Sequence, residues 1–491
     1  MKSALSRTNS PFGLSSLKKN FLFNATKIFL GLLFPLITFP YASRILGPEG
    51  IGRVGFAQAT VAYFIMIAGL GIPLYGTREA AKVRDNPIAL KKLVSELLWL
   101  NAASTIIAYL LLLGAIIFVP RFSEEKGLIL VVSCVIGFTS LGADWLFQAL
   151  ERFAYIALRS FFVQIVSLVL LFVFVRQPSD VLPYAALGVF ASAGANILNF
   201  AMIRREIGIS GPIGLDIKRH IKSILILFGM SLSVSVYANL NSVMLGIYGS
   251  AASVGYYLAA VKIIGIVQAV VGSFAIVLLP RSSYHVEHSE HDEFERLIAK
   301  AFLFLCLTAL PFIVGIIALR EEIAVVFAGE AFRRTGFVLG VMSLNIFVVG
   351  LSNLFGIQVL IPLGKEKTTF LSTMVGALVC LVLTPLLLPR FSERGAAIAI
   401  LLTELSVTLV QAVACRRYII RMLKHCKIFP YILGCCAIVA IAILGKTLFV
   451  EAISRIVFIV GLSAIAYIAT LFLLNEPFSR GILKRFFHSR A

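Results

Sequence analysis

Long apolar runs, interrupted by glycine, proline and clusters of basic residues, set the plan of this chain. They fall at about 21–42, 54–74, 93–119, 127–149, 158–175, 181–203, 223–247, 256–279, 299–319, 336–361, 369–388, 396–414, 428–446 and 456–474. An apolar run of about 20 residues crosses a hydrocarbon core of roughly 30 Å as a helix. None of the runs alternates polar with apolar as a barrel strand does. A helix satisfies its own backbone in lipid, so helices are the spanning element. The pattern predicts an all-α polytopic membrane protein with 14 transmembrane helices.

Composition agrees. The chain has 491 residues, 59% hydrophobic and 14% charged, against about 25% charged in a soluble domain. A mean hydropathy of +0.96 excludes a soluble protein with one anchor. The net charge of +20 would suggest nucleic acid in a soluble chain. Here it sorts by side: alternate loops and the two ends carry 30 of the 44 Lys and Arg, and the opposite loops carry 12. Basic residues accumulate on the cytoplasmic side, so both termini are expected there and no nucleic-acid partner is read. The tails, 1–20 and 475–491, are basic, and the first lacks the small-residue cleavage site of a signal peptide. The segments 77–92 and 204–222 are basic and partly amphipathic, and are expected to lie along the headgroups.

Catalysis has no visible home. No loop is long, and no phosphate-binding Gly-x-x-x-x-Gly-Lys-Ser/Thr occurs. No Ser/His/Asp or Cys/His arrangement stands out, so the chain is read as no enzyme and with no cofactor. The seven cysteines form no metal-spaced group and read as packing residues. His285, His288 and His291 are spaced by three among acids; that drifts around a helix and reads as a solvated loop, with no metal.

A repeat is visible. The corner Leu46-Gly47-Pro48-Glu49-Gly50-Ile51-Gly52 opens the second span, and Gly249 to Gly255 opens the eighth, about 203 residues later. Gln148 has a counterpart in Gln358. Six spans is an even number, so the halves are parallel repeats, which suit alternating access. The expected division is a tail to residue 20, a six-helix lobe at 21–213, a second at 214–420 and two further helices at 421–474.

Polar stripes mark candidate cavity faces. Asn20, Asn24, Lys27 and Gly31 share a face of span one; Ser192, Asn196 and Asn199 of span six; Ser231, Ser235, Asn239, Ser242 and Gly246 of span seven. Ser140, Asp144 and Gln148 line up in span four, and Glu404, Thr408 and Gln411 in span twelve. Each stripe has two readings, a watered cavity or close helix packing with hydrogen bonds across. Lys27 either faces the cavity or snorkels to the headgroups. Lys262, about six residues into span eight, is a candidate anion contact or one half of an ion pair. With Lys27, Arg44 and Arg53 it would make a cleft electropositive. Asp144 and Glu404 are the acids noted within spans. They either carry a coupling ion, since burial favours the neutral carboxyl, or hold structural partners.

The segments ILGPEGIG, GLGIPLYGTREAAKVRDN at 69–86, DWLFQALERFAYIALRSFFVQIVSLVLLFVFV at 144–175 and VGYYLAAVK at 254–262 resemble the bacterial O-antigen and capsular repeat-unit flippases. These belong to the multidrug/oligosaccharidyl-lipid/polysaccharide exporter superfamily, with the lipid II flippases and the multidrug and toxin extruders. The resemblance runs from about residue 18 to 474. It implies an inner-membrane carrier that moves an undecaprenyl-diphosphate-linked oligosaccharide to the periplasmic leaflet by alternating access. A polysaccharide polymerase and a chain-length regulator are the further partners it suggests, beside membrane lipids. It implies two six-helix lobes around a cationic cavity, with the last two helices bordering a groove for the lipid tail. Carried onto this chain, the cavity cations are Lys262, Lys27 and Arg44, with Arg78 at the cytoplasmic mouth. Asn196, Asn199, Asn239 and Gln148 are the sugar contacts, since a sugar needs hydrogen-bonding side chains and a diphosphate needs fixed positive charge. Deep cations are fewer than the lipid II flippases carry. A small-molecule antiporter on the same fold is the alternative, and it wants acids in its cavity.

Overall fold

In a computed structural model, the structure describes residues 17–209, 211, 216–424 and 426–474; the side chains at Asn20, Asn24, Lys27, Ser231 and Ser235 lie outside the described residues. Every regular element among the described residues is helical. Among the described residues, eleven helices are long and apolar enough to cross a membrane. Leu110, Ile117 and Phe118 on one of them, and Val382 and Leu386 on another, are exposed. Large apolar side chains stand outward in this number where the solvent is acyl chain.

The chain divides into two compact units, one reaching to Val254 and the other beginning at Gly255. The first unit begins with α1 (Leu17–Gly69), a long helix broken at Gly47. Gly47 has φ 66° and ψ 179°, a backbone conformation open to glycine, so the glycine-rich corner expected from the sequence is where the chain turns. Next come α2 (Ile72–Val83), α3 (Pro87–Phe118), α4 (Pro120–Glu124), α5 (Lys126–Gly142) and α6 (Asp144–Ala149). They are followed by α7 (Phe153–Phe174), α8 (Val181–Ala193), α9 (Ala195–Glu206) and α10 (Lys218–Tyr248). Asn86 caps α3 by accepting from the backbone N–H groups of Ile88 and Ala89, with Pro87 at the first helical position. Residues 87–92, expected along the headgroups, are thus the first turns of α3. Ile72, Leu97, Trp145, Leu146 and Ile203 anchor the core at this end of the unit.

From α10 onward the order of elements repeats. The break between α10 and α11 (Ala251–Glu287) falls at Gly249, as the break in α1 falls at Gly47. Then α12 (His291–Ala318) answers α3, and α13 (Arg320–Ala328) answers α4. Helix α14 (Thr335–Asn353), with the π-helical turn Leu354–Leu360, answers α5 and α6. The two halves of α15 (Glu366–Ala414), broken at Ser392, answer α7 and the pair α8 and α9. The short α16 (Arg416–Lys424) leads to α17 (Phe429–Leu448) and α18 (Ala452–Leu473).

Helix α10 opens the second series of elements yet packs in the first unit, against α1 and α2. A methyl on Gly246 would stand 2.0 Å from the Phe56 ring, so only glycine lets α10 approach α1 there. Arg121 donates to the Gly246 carbonyl at 2.9 Å, and His220 meets the Tyr75 hydroxyl at 2.7 Å. Contacts therefore divide the chain at Val254, one helix past residue 213.

Candidate functional site

The polar stripes of the first unit converge on the break at Ala143, where φ is 41°. A helix break frees backbone carbonyls that lipid cannot satisfy. Asn199 gives its amide to the Gly142 carbonyl and to Asp144, both at 2.7 Å. Arg159 donates to Asp144 at 2.8 Å and to the Ala195 carbonyl at 3.2 Å. Asn101 donates to the Ser140 carbonyl, and Thr105 to the Ser140 hydroxyl. Asn196 packs against Gly142, where an added methyl would stand 2.4 Å from the Asn196 side chain. Asn196, Asn199 and Arg159 are buried. In this structure these side chains hold α5, α6, α7 and α9 together around the break. Asp144 has the structural partner its sequence allowed for. Arg159, near the head of the run at 158–175, is a buried helix residue.

The first-unit cations singled out as cavity candidates do not gather. Arg53 makes a two-pronged pair with Glu125, at 2.8 and 3.0 Å, so its charge is compensated. Arg44 is exposed, three residues before the Gly47 corner, and donates to the Pro40 carbonyl. Arg78 pairs with Glu79 and lies over the Tyr75 ring. The helix from Pro48 to Gly69 rises about 33 Å between these two regions, so Arg44 and Arg78 belong to opposite ends. Gln148 is exposed, whereas its counterpart Gln358 is buried; Asn239 is half-buried.

One acid was missed in the sequence. Glu96 lies on the third turn of α3 and is wholly buried. It accepts from the Asp216 N–H at 2.9 Å, from His220 at 2.9 Å and from Arg219. The signal was a charged residue at the head of an apolar run, followed by Arg219-His220 at the head of another. In the second unit Glu295 near the start of α12 meets Arg421 of α16 at 2.6 Å, a comparable tie between a third helix and the segment after the sixth.

Lys262 differs from all of these. Ser250 caps α11 by accepting from the Ser253 N–H, so the helix starts at Ala251. Lys262 therefore lies eleven residues in, about 16 Å, deeper than the apolar run alone implies. Ala259, Ala260, Ile263 and Ile264 around it are buried, while Lys262 is exposed. Among the described residues its ammonium makes no ion pair or hydrogen bond. On the same face, a methyl added to Gly265 meets nothing within 4 Å, so the space beside Lys262 is open. A charge at this depth costs several kcal/mol against acyl chain, about 2.5–3.5 by insertion scales. Glu404 stands eleven residues past the first residue after Ser392, again about 16 Å from its break. It too makes no ion pair or hydrogen bond among the described residues. Thr408 and Gln411, farther along its stripe, are buried and bonded to α14 and α15, so the stripe passes from packing to accessible surface at Glu404.

The next residue after Lys262, Ile263, lines an apolar groove of about 590 Å³ together with Val267, Pro311, Ile438, Tyr467 and Ile468. Helices α11, α12, α17 and α18 make its walls. One end is fixed by Glu322 of α13, which accepts from Arg455 of α18 at 2.8 Å. Burial pushes that carboxyl up, and the Arg455 hydrogen bond with nearby positive charge outweighs it, leaving Glu322 below the usual carboxylate range. Fixed positive charge and an apolar groove thus occupy neighbouring faces of one helix.

Residues 17–286 match the model of a family described as polysaccharide biosynthesis protein. A putative O-antigen transporter of Escherichia coli (strain K12) is 28% identical over 402 residues, 80% of this chain and 95% of that protein. One from Shigella dysenteriae is 27% identical over 403 residues, 80% and 98% of the two chains. Among solved structures, the lipid II flippase MurJ in an inward closed conformation matches with a TM-score of 0.71 and 17% identity, over 94% of this chain and all of that one. An inward-facing multidrug resistance MATE family transporter of the MOP superfamily matches with a TM-score of 0.62 and 15% identity, over 82% and 99%.

Proposed function

Since the chain belongs to the polysaccharide biosynthesis protein family, we propose that this multi-pass membrane protein is a flippase for lipid-linked polysaccharide units. The substrate we assign is an undecaprenyl-diphosphate-linked oligosaccharide, moved across the bacterial inner membrane by alternating access with no covalent step. The observation that carries the assignment is Lys262, without an ion pair or hydrogen bond among the described residues, beside the apolar groove on the adjacent face of α11. A substrate with a diphosphate joined to a long isoprenoid asks for that pairing: a fixed cation for the phosphates and apolar wall for the tail. Counting both halves of α1 and of α15, together with α10, gives the fourteen spans we assign, with both ends cytoplasmic. In the first unit, Gln148, Asn239 and Arg78 keep accessible surface and are the polar contacts we retain for sugars.

The test is flipping in reconstituted vesicles loaded with a defined undecaprenyl-diphosphate sugar. Protein-dependent exposure of the sugar to an added lectin is expected. Absence of exposure, with gradient-driven export of a cationic dye, would hand the protein to the small-molecule antiporter reading. Energy coupling rests on Glu404, a carboxyl that makes no ion pair or hydrogen bond among the described residues. The Glu404→Gln variant is expected to flip at the same rate with and without a proton or sodium gradient, where the parent protein speeds up under one. An unchanged response to the gradient removes Glu404 from coupling.

A further inference from the structure

The first unit holds a second apolar groove, of about 420 Å³, between α3, α5 and α9. Leu98, Trp99, Ala102 and Ile106 of α3 line it, with Phe200 of α9 and Ile209 just beyond. Ile106 and its neighbours Ile107 and Leu110 are exposed, so the lining is continuous with the acyl-facing surface of α3. At the other end of the groove the surface is cationic. Lys91 and Lys92 precede Leu98 and Trp99 by seven residues, so they continue the same stripe about 10 Å toward the helix start. Arg204 follows Phe200 by four, one turn on, and Arg205 is beside it. The Lys91 ammonium lies 3.4 Å from where a methyl on Gly208 would stand, one residue from Ile209.

These four side chains are exposed, and among the described residues none makes an ion pair or hydrogen bond. Nearby arginines do: Arg84 pairs with Glu151 and Arg152 with Glu206. The negative end of α9 accounts for cations at its last turn, but not for two lysines on α3 facing the same groove. We propose that this groove is a binding site for an anionic phospholipid, with an acyl chain along Leu98, Ala102 and Ile106 and the phosphate among Lys91, Lys92, Arg204 and Arg205. A basic cluster beside a cleft between membrane helices selects anionic headgroups. A choline or ethanolamine headgroup brings its own cation to the cluster and is disfavoured. The site is independent of the flippase reading, since it needs no transported substrate.

The test is competitive lipid retention on the purified full chain, read by native mass spectrometry after exchange into micelles holding equal phosphatidylglycerol and phosphatidylcholine. The wild type is expected to retain the anionic lipid about tenfold better, since each cation adds to the attraction for an anionic headgroup and salt screens part of it. Lys91→Gln/Lys92→Gln and Arg204→Gln/Arg205→Gln are expected each to lower the ratio, and the combined variant to bring it near one. Ala102→Trp, which fills the groove and keeps the charges, is expected to lower retention of both lipids. Arg416→Gln/Arg417→Gln on α16 is expected to leave the ratio alone. An unchanged ratio in both double variants overturns the proposal, as does full retention in Ala102→Trp. Displacement of the lipid by inorganic phosphate also overturns it, since the site would then be one for a free anion.

Discussion

Lys262→Ala is expected to slow flipping by about 10- to 150-fold, from the 1.5–3 kcal/mol that a hydrogen bond to a charged group contributes. The same variant should fold and insert as the parent does. Lys262 is exposed and holds no partner among the described residues, so its removal strands no acid and opens no cavity. Alanine is also the better helix former. The measurement is the initial rate of sugar exposure in vesicles, beside the unfolding temperature in detergent. Lys262→Arg keeps the charge and should recover most of the rate, though the planar fork changes the geometry of phosphate contact. A parent-like rate in Lys262→Ala would remove the residue from the site. A fall in unfolding temperature matching the fall in rate would make it structural.

The second large effect falls on stability. Asp144→Ala is expected to cost about 2–4 kcal/mol, a range set lower than the roughly 3–5 kcal/mol of a broken buried pair because Asp144 keeps partial exposure. The loss comes from Arg159, whose side chain is only 4% exposed and which would keep its charge without a counter-charge. Asn199, also buried, would lose one of its two acceptors. Asp144→Ala should therefore give less folded protein and a lower unfolding temperature. Adding Arg159→Met should restore part of the loss, because the uncompensated charge goes with it. Flipping per folded molecule should stay near the parent. If Asp144→Ala leaves stability intact and abolishes flipping, Asp144 works in transport and the network around Ala143 does not set its role.

The two acids noted in the sequence part ways for a reason that spacing alone does not contain. Asp144 and Glu404 both sit in apolar runs on polar stripes. Asp144 meets Arg159 because the break at Ala143 turns α6 toward α7. Glu404 lies twelve residues past the break at Ser392 and meets no cation among the described residues. The same holds for Asn196 and Asn199. Their four- and three-residue spacing is that of a cavity face, yet the face is turned to a helix break that needs donors. Glu96 is the fourth residue of the run read at 93–119 and was passed over as an acid at its edge; the cap at Asn86 starts α3 earlier and sets Glu96 on the third turn.

What the sequence alone determined is the helical membrane class, the corner at Gly47 and the order of elements that returns after α9. These follow from local and additive quantities: the apolar area of each run, the cost of unbonded backbone in lipid, and the backbone freedom of glycine. Only the tertiary structure decided which buried charges are matched, that α10 packs with the first unit, and where the two grooves open. Those depend on residues far apart in the chain, on helix breaks of a few degrees of freedom, and on contacts such as Gly246 against Phe56 that no periodicity encodes.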